Sequence, residues 1–398
     1  MGKIEELVKK MCPNGVEYKT IGEIATYRRG SFPQPYTNSE FYGGKDSMPF
    51  VQVADIEDYG LVLKEKTKQT ISKIAQSKSI FVPKGNVICS IQGTIGRVAI
   101  TQYDAYVDRT IAIFNGFKID IDKYFFAYCI QVKFGIEKKF ARGSTLKTIT
   151  KEEFTKFRIP VPPLDIQHKI VDILNKFIAL STELSHELTV RQKQYEYYKE
   201  KLLHFEKNTK YIKLKEIVEF KNGKGHERVV DSNGQYVLVT SKAISTNMKQ
   251  IRRTNANLVP LSKGDITMVM SDLPNGRALA KCFLVDEDNK YTLNQRIGCF
   301  INKNTKEIDT KFLFYILNRN YDLLKYDNRV DQTNLRKDDI LNIEIPIPPK
   351  KAQERIAGIL DKFDKICNDE LVGLPAEIEA RQKQYEYYRD KLLTFKEL

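Results

Sequence analysis

At 398 residues the chain is long enough for two or three compact units. Its apolar fraction of 41% is ordinary, no apolar run approaches the ~20 residues of a bilayer span, and Met1 to Lys10 lacks the apolar centre of a secretion signal, so a soluble cytoplasmic chain is expected. The formal net charge of +14 draws polyanions from a distance, and six cysteines that never fall two residues apart spell neither a zinc knuckle nor a redox pair.

Residues 1–17 form a charge-balanced N-terminal segment. Residues 18–163 carry 22 Lys and Arg against 14 Asp and Glu. Within them, Pro49 to Val53, Asn86 to Ile91 and Val107 to Phe114 are rich in β-branched and aromatic residues and bounded by Gly, Pro and Asn, which predicts strands. A helix is predicted over Lys123 to Phe134. Residues 164–207 are neutral, and their apolar positions Ile170, Ile173, Phe177, Leu180, Leu184, Leu188, Tyr195, Tyr198, Leu202 and Phe205 step by three and four across Arg191. That is a seam for another helix, and about 40 residues at 1.5 Å each give a rod of roughly 60 Å. Residues 208–349 carry 23 basic against 17 acidic side chains, with a helix predicted over Lys311 to Tyr321, and 350–398 are again neutral. The basic excess therefore lies in two non-adjacent bodies on an uncharged frame.

The chain is written twice. Residues 191–205 read RQKQYEYYKEKLLHF and residues 381–395 read RQKQYEYYRDKLLTF. Ile159-Pro160-Val161-Pro162-Pro163 with Gln167 and Ile170 returns as Ile345-Pro346-Ile347-Pro348-Pro349 with Gln353 and Ile356. Proline is tolerated in a first helical turn but not inside, so both pairs mark helix starts. The bodies match loosely but in order, from Ile21-Gly22-Glu23-Ile24 against Leu214-Lys215-Glu216-Ile217 to Gly96-Arg97 against Gly276-Arg277. The second tail carries extra residues near Gly373-Leu374-Pro375, where its helix must break or kink. The economical fold is α+β: two mixed α/β bodies separated by two long antiparallel coiled-coil helices, related by an internal pseudo-twofold repeat. Tyr195, Tyr197, Tyr198 and Leu202, with Tyr385, Tyr387, Tyr388 and Leu392, offer more apolar surface than one seam consumes, so they are candidate docking faces for partner helices, with internal packing as the alternative.

Catalytic tools are not spelled out. The chain has no G-x-x-x-x-G-K-[ST] phosphate loop, and its Pro-Pro pairs follow Val161 and Ile347 rather than the Asn or Asp of an adenine methyltransferase. Of four histidines, His168, His186 and His204 are spaced by eighteen, about 27 Å apart along a helix, too far to share a metal. No cofactor or metal site is expected.

The two Ile-Pro-x-Pro-Pro segments, the Gln that follows each, the twin RQKQYEYYxxKLLxF tails and the opening Cys12-Pro13-Asn14-Gly15-Val16-Glu17-Tyr18 resemble the specificity subunit of type I restriction-modification enzymes over the full length. The resemblance implies a non-catalytic subunit that binds double-stranded DNA. Residues 18–163 and 208–349 would be target recognition domains, each reading half of a split site. The helices at 164–207 and 350–398 would set the gap and hold two copies of an adenine-N6 methyltransferase subunit, and a motor and nuclease subunit can join. Base reading needs Arg, Lys, Gln or Asn at base edges. The candidates are Arg28, Arg29, Gln92, Arg97, Arg109, Arg142 and Lys147 in the first body, and Lys221, Lys224, Arg277, Gln295, Arg296, Arg329, Gln332 and Arg336 in the second. The other reading of the residues is a coiled-coil scaffold whose basic bodies hold nucleic acid or anionic surfaces without sequence choice.

Overall fold

Runs of β-branched and aromatic residues interrupted by turn formers favour short strands over long ones, and the computed structural model shows them gathered into small sheets; it describes residues 2–140, 150–206, 208–226, 229–273, 278–327, 330–369 and 372–398. The chain divides into two compact units, Met1–His186 with Ala376–Leu398, and Glu187–Pro375.

The first unit holds an antiparallel sheet in the order Ala25–Arg29, Ile111–Phe117, Val87–Ser90, Val98–Ile100. A second sheet runs Gln69–Ile71, Met48–Val51, Ala105–Val107, Ile80–Val82, its middle pair parallel. The second unit repeats the plan: Val218–Asn222, Ile297–Asn302, Ile266–Val269, Cys282–Leu284 in one sheet, and Arg252–Thr254, Tyr236–Val239, Tyr291–Leu293 in the other, where Tyr236–Val239 and Tyr291–Leu293 again run parallel. The repeat that is loose in the sequence of the bodies is thus close in strand order.

The strand expected over Val107 to Phe114 is two strands. Ala105–Val107 lies in one sheet, Ile111–Phe117 in the other, and the turn between them is closed by the Ile111 amide donating to the Asp108 carbonyl at 3.1 Å. The Asp108 carboxylate accepts from the Thr110 amide at 2.9 Å, an Asx turn that ends the extended run. The helix expected over Lys123 to Phe134 continues to Phe140. Its counterpart covers Thr310–Leu317 and stops before Arg319, whose φ of 61° is left-handed.

The first tail is one uninterrupted helix, Leu164–Leu202, and the second is two, Lys350–Asn368 and Leu374–Leu392, with Gly373 at the break where the sequence places it. In the first unit the C-terminal helix lies on the start of the long helix, with Phe177 and Tyr388 stacked at 5.4 Å. In the second unit the end of the long helix lies on Lys350–Asn368, with Tyr198 and Phe363 stacked at 5.5 Å. Each tyrosine-rich tail end therefore packs on the leading half of the other tail.

The glutamine after each Pro-Pro pair fastens body to tail. Gln167 is buried, donates to Pro162 O at 2.7 Å and accepts from the Asp122 amide at 2.9 Å. Gln353, also buried, donates to Pro348 O at 2.8 Å and Glu307 O at 3.0 Å and accepts from the Asp309 amide at 2.9 Å. Asp122 and Asp309 in turn cap the helices Lys123–Phe140 and Thr310–Leu317, their carboxylates accepting from the Phe125 and Phe312 amides at 2.9 and 2.8 Å.

Candidate nucleic-acid interface

In the first unit three segments are held side by side at one end of the antiparallel sheet. Strand Ala25–Arg29 leaves through Gly30, whose amide donates to Ile111 O at 3.0 Å; Val87–Ser90 leaves through Ile91, whose amide donates to Thr110 O at 3.0 Å; between them sits the turn Asp108–Ile111. Gly30 is required by close approach, since a Cβ there would stand 2.2 Å from Val107 O and 2.3 Å from Asp108 O. Arg28, Arg29, Gln92 and Arg109 are brought to this one sheet end, the three arginines exposed and Gln92 half-buried.

The second unit builds the same end from different letters. Gly223 donates to Ile297 O at 3.1 Å, Met270 to Arg296 O at 3.0 Å, and the turn Asn294–Ile297 is closed at 3.4 Å. A Cβ on Gly223 would stand 1.8 Å from Asn294 O. Lys221, Lys224, Gln295 and Arg296 are exposed here. A further ribbon joins them: Ser271–Asp272 pairs with Thr333–Asn334, Gln332 donates to Ser271 Oγ at 2.8 Å, and Arg336 stands at the start of the helix Lys337–Leu341. Register makes Arg28 equivalent to Lys221, Gly30 to Gly223, Asp108 to Asn294, Arg109 to Gln295 and Thr110 to Arg296.

The acid at this end, Asp108, is used internally. Asp108 is buried and committed to the Thr110 amide. The neighbouring Tyr36 hydroxyl is pushed up to about 12, first by burial and then by the Asp108 charge, and it accepts from Gln52 Nε2, so it stays neutral at physiological pH.

Arg97 differs from these candidates: its guanidinium donates to Val53 O at 3.2 Å and Ile56 O at 3.0 Å and pairs with Asp58, so it braces the loop at 53–58. Arg142, Lys147, Arg277 and Arg329 lie outside the described residues. Sequence reasoning missed Asp108, Asn294, Gly30 and Gly223, which fix the turn and the strand end that carry these side chains; the signal was the Gly that follows both Arg28-Arg29 and Lys221-Asn222 in the aligned repeat.

The tail tyrosines separate into two classes. Tyr195, Tyr385 and Leu392 are buried within their units, so their expected part in docking gives way to packing, while Leu202 is half-buried. Tyr197 and Tyr387 are 59% and 62% exposed, each forming an edge-on ring pair with its neighbour, Tyr197 with Tyr198 at 5.3 Å and Tyr387 with Tyr388 at 5.2 Å. One exposed ring, Tyr197 or Tyr387, thus appears on each tail, set edge-on in the same geometry against a neighbour that stacks inward.

The type I restriction modification DNA specificity domain family matches residues 13–191 and again 206–380. A putative type I restriction enzyme specificity subunit of Haemophilus influenzae is 28% identical over 408 residues, covering 98% of this chain and 98% of its own. The specificity subunit of the type I restriction enzyme EcoR124I/EcoR124II of Escherichia coli is 31% identical over 268 residues, 61% of this chain and 64% of its own. Among solved structures, the S subunit of a type I restriction-modification system from M. genitalium superposes with a TM-score of 0.57 at 16% identity, over 96% of this chain and 97% of that one, a likeness of fold.

Proposed function

The chain belongs to the type I restriction modification DNA specificity family, and on that premise we propose that each of its units reads one half of a bipartite DNA site. As a member of that family it is a specificity subunit, a component that recognises DNA sequence and leaves the chemistry to other chains. The observation that carries the two-reader proposal is the sheet end built twice in one register, each time holding one exposed polar side chain on a braced turn, Arg109 or Gln295, beside exposed cations. Arg28, Arg29, Gln92 and Arg109 serve the first half-site. Lys221, Lys224, Gln295, Arg296, Gln332 and Arg336 serve the second.

Residues 18–163 and 208–349 are the recognition bodies in this proposal, residues 1–17 an N-terminal segment, and 164–207 with 350–398 the helices that set the gap. The matched pairs Tyr197-Tyr198 and Tyr387-Tyr388 suit two copies of one partner, an adenine-N6 methyltransferase subunit, because repeated surfaces bind repeated partners. A motor and nuclease subunit would complete a restriction complex.

The test is selection from a random duplex library by the full-length chain together with its methyltransferase. A bipartite sequence with a fixed gap should be enriched. Uniform affinity across sequences, falling steeply with salt, would instead describe a scaffold that holds nucleic acid without choice.

A further inference from the structure

We propose that Arg109 and Gln295 are equivalent base readers, Arg109 selecting a guanine in one half-site and Gln295 an adenine at the corresponding place in the other; the assignment rests on the reading of both units as DNA readers. Each residue occupies the first central position of a four-residue turn, Asp108–Ile111 in one unit and Asn294–Ile297 in the other. Both turns join a strand of the parallel pair to the strand that lies second in the antiparallel sheet.

Each turn is held from three directions by main-chain hydrogen bonds. From the parallel pair, the Asp108 amide donates to Val51 O at 3.0 Å and the Asn294 amide to Val239 O at 3.2 Å. From the neighbouring strand, Ile91 donates to Thr110 O and Met270 to Arg296 O, both at 3.0 Å. From the third side Gly30 and Gly223 press against the turn carbonyls, with no room for a side chain between. A side chain on so fixed a base meets a base edge in one geometry, which is what discrimination between bases requires.

The two side chains differ in the chemistry they offer. Arg109 presents two parallel donors, matching the O6 and N7 acceptors of guanine in the major groove. The amide of Gln295 carries one acceptor and one donor, the pair that matches N6 and N7 of adenine. The strand cations beside them, Arg28 and Lys221, occupy matched positions on the edge strands and suit phosphates, which fix register without carrying sequence.

The experiment is library selection with the full-length chain and its methyltransferase, comparing the parent with Arg109→Gln and Gln295→Arg. Arg109→Gln should turn one guanine into adenine in one half-site, and Gln295→Arg one adenine into guanine in the other, each leaving the second half-site as it was. The preference over the parental base should be roughly 5- to 150-fold, the span of one bidentate contact. Arg109→Ala should accept any base at that position, and thermal melting of each variant reports its fold. Should Arg109→Gln melt early, Arg109→Ala decides, since a retained guanine overturns the assignment. Two further results overturn it: variants that select the parental sequence, or variants weakened equally on all sequences, as loss of a phosphate contact would produce. A parent that selects no bipartite site overturns the DNA-reader reading itself and the assignment with it, whereas a selecting parent with unmoved variants overturns the assignment alone.

Discussion

Arg296 sits beside the proposed reader with a φ of 65°, in the left-handed region that side chains other than glycine avoid at a cost of roughly 1 to 2 kcal/mol. Strain of this kind clusters at ligand-binding and active sites, where the side chain's function offsets the backbone cost. Arg296→Gly removes the strain and adds the unfolded-state freedom of glycine, two terms of about 1 kcal/mol and opposite sign. The expected outcome is a melting temperature near the parent's with weaker DNA binding. A loss of stability beyond about 2 kcal/mol would show instead that the guanidinium holds the turn. At this scale the candidate residue types are legible in the sequence, because Arg, Lys and Gln near glycine are easy to see. It could not separate Arg109, exposed on a turn, from Arg97, consumed by Val53, Ile56 and Asp58, because the partners of Arg97 lie 39 to 44 positions away in the chain.

Among the elements, the Gln that follows each Pro-Pro pair is as telling as any helix. Gln353 makes three hydrogen bonds in the core, and Gln353→Leu would leave the Asp309 amide and the Pro348 and Glu307 carbonyls without it. An unsatisfied buried group costs about 1 to 3 kcal/mol, so a loss on the order of 2 to 5 kcal/mol is expected, read as a lower urea midpoint. A midpoint unmoved within error would mean that water replaces the side chain. The tyrosines give a complementary contrast. Tyr385→Ala removes a ring that is 2% exposed and should cost about 3 to 5 kcal/mol. Tyr197→Ala with Tyr387→Ala should leave melting within about 0.5 kcal/mol and lower the amount of methyltransferase that copurifies, and full copurification would remove those faces from the docking proposal. The repeated Gln was legible as a motif, but its purpose was not, since Asp122 and Asp309 are separated from it by 45 and 44 residues. Likewise Val107 to Phe114 reads as one run rich in β-branched residues, although Asp108-Arg109-Thr110 interrupt its alternation, and the Asx turn at Asp108 shows that two sheets share it.

For the molecule as a whole, the bodies are insertions with adjoining ends. The first opens with Tyr18–Thr20, which pairs antiparallel with Arg158–Pro160 where it closes, and the second opens with Tyr211–Lys213 against Glu344–Pro346. Ends that meet in one small sheet let a body be replaced without rerouting the tails. The tail repeat announced this plan, because helix packing preserves apolar identity. The equivalence of the bodies was faint, because Ala25–Arg29 and Val218–Asn222 share a backbone frame and hardly a side chain. Exchange of residues 18–163 for the first body of another family member tests the consequence. One half-site should change in library selection while the other half-site stays. The graft must keep the apolar faces that meet Ile166, Ile170, Leu174 and Tyr385, since these tail residues complete the first core. If a well-folded graft altered both half-sites, the two units would not read independently, and the matched sheet ends would owe their likeness to fold alone.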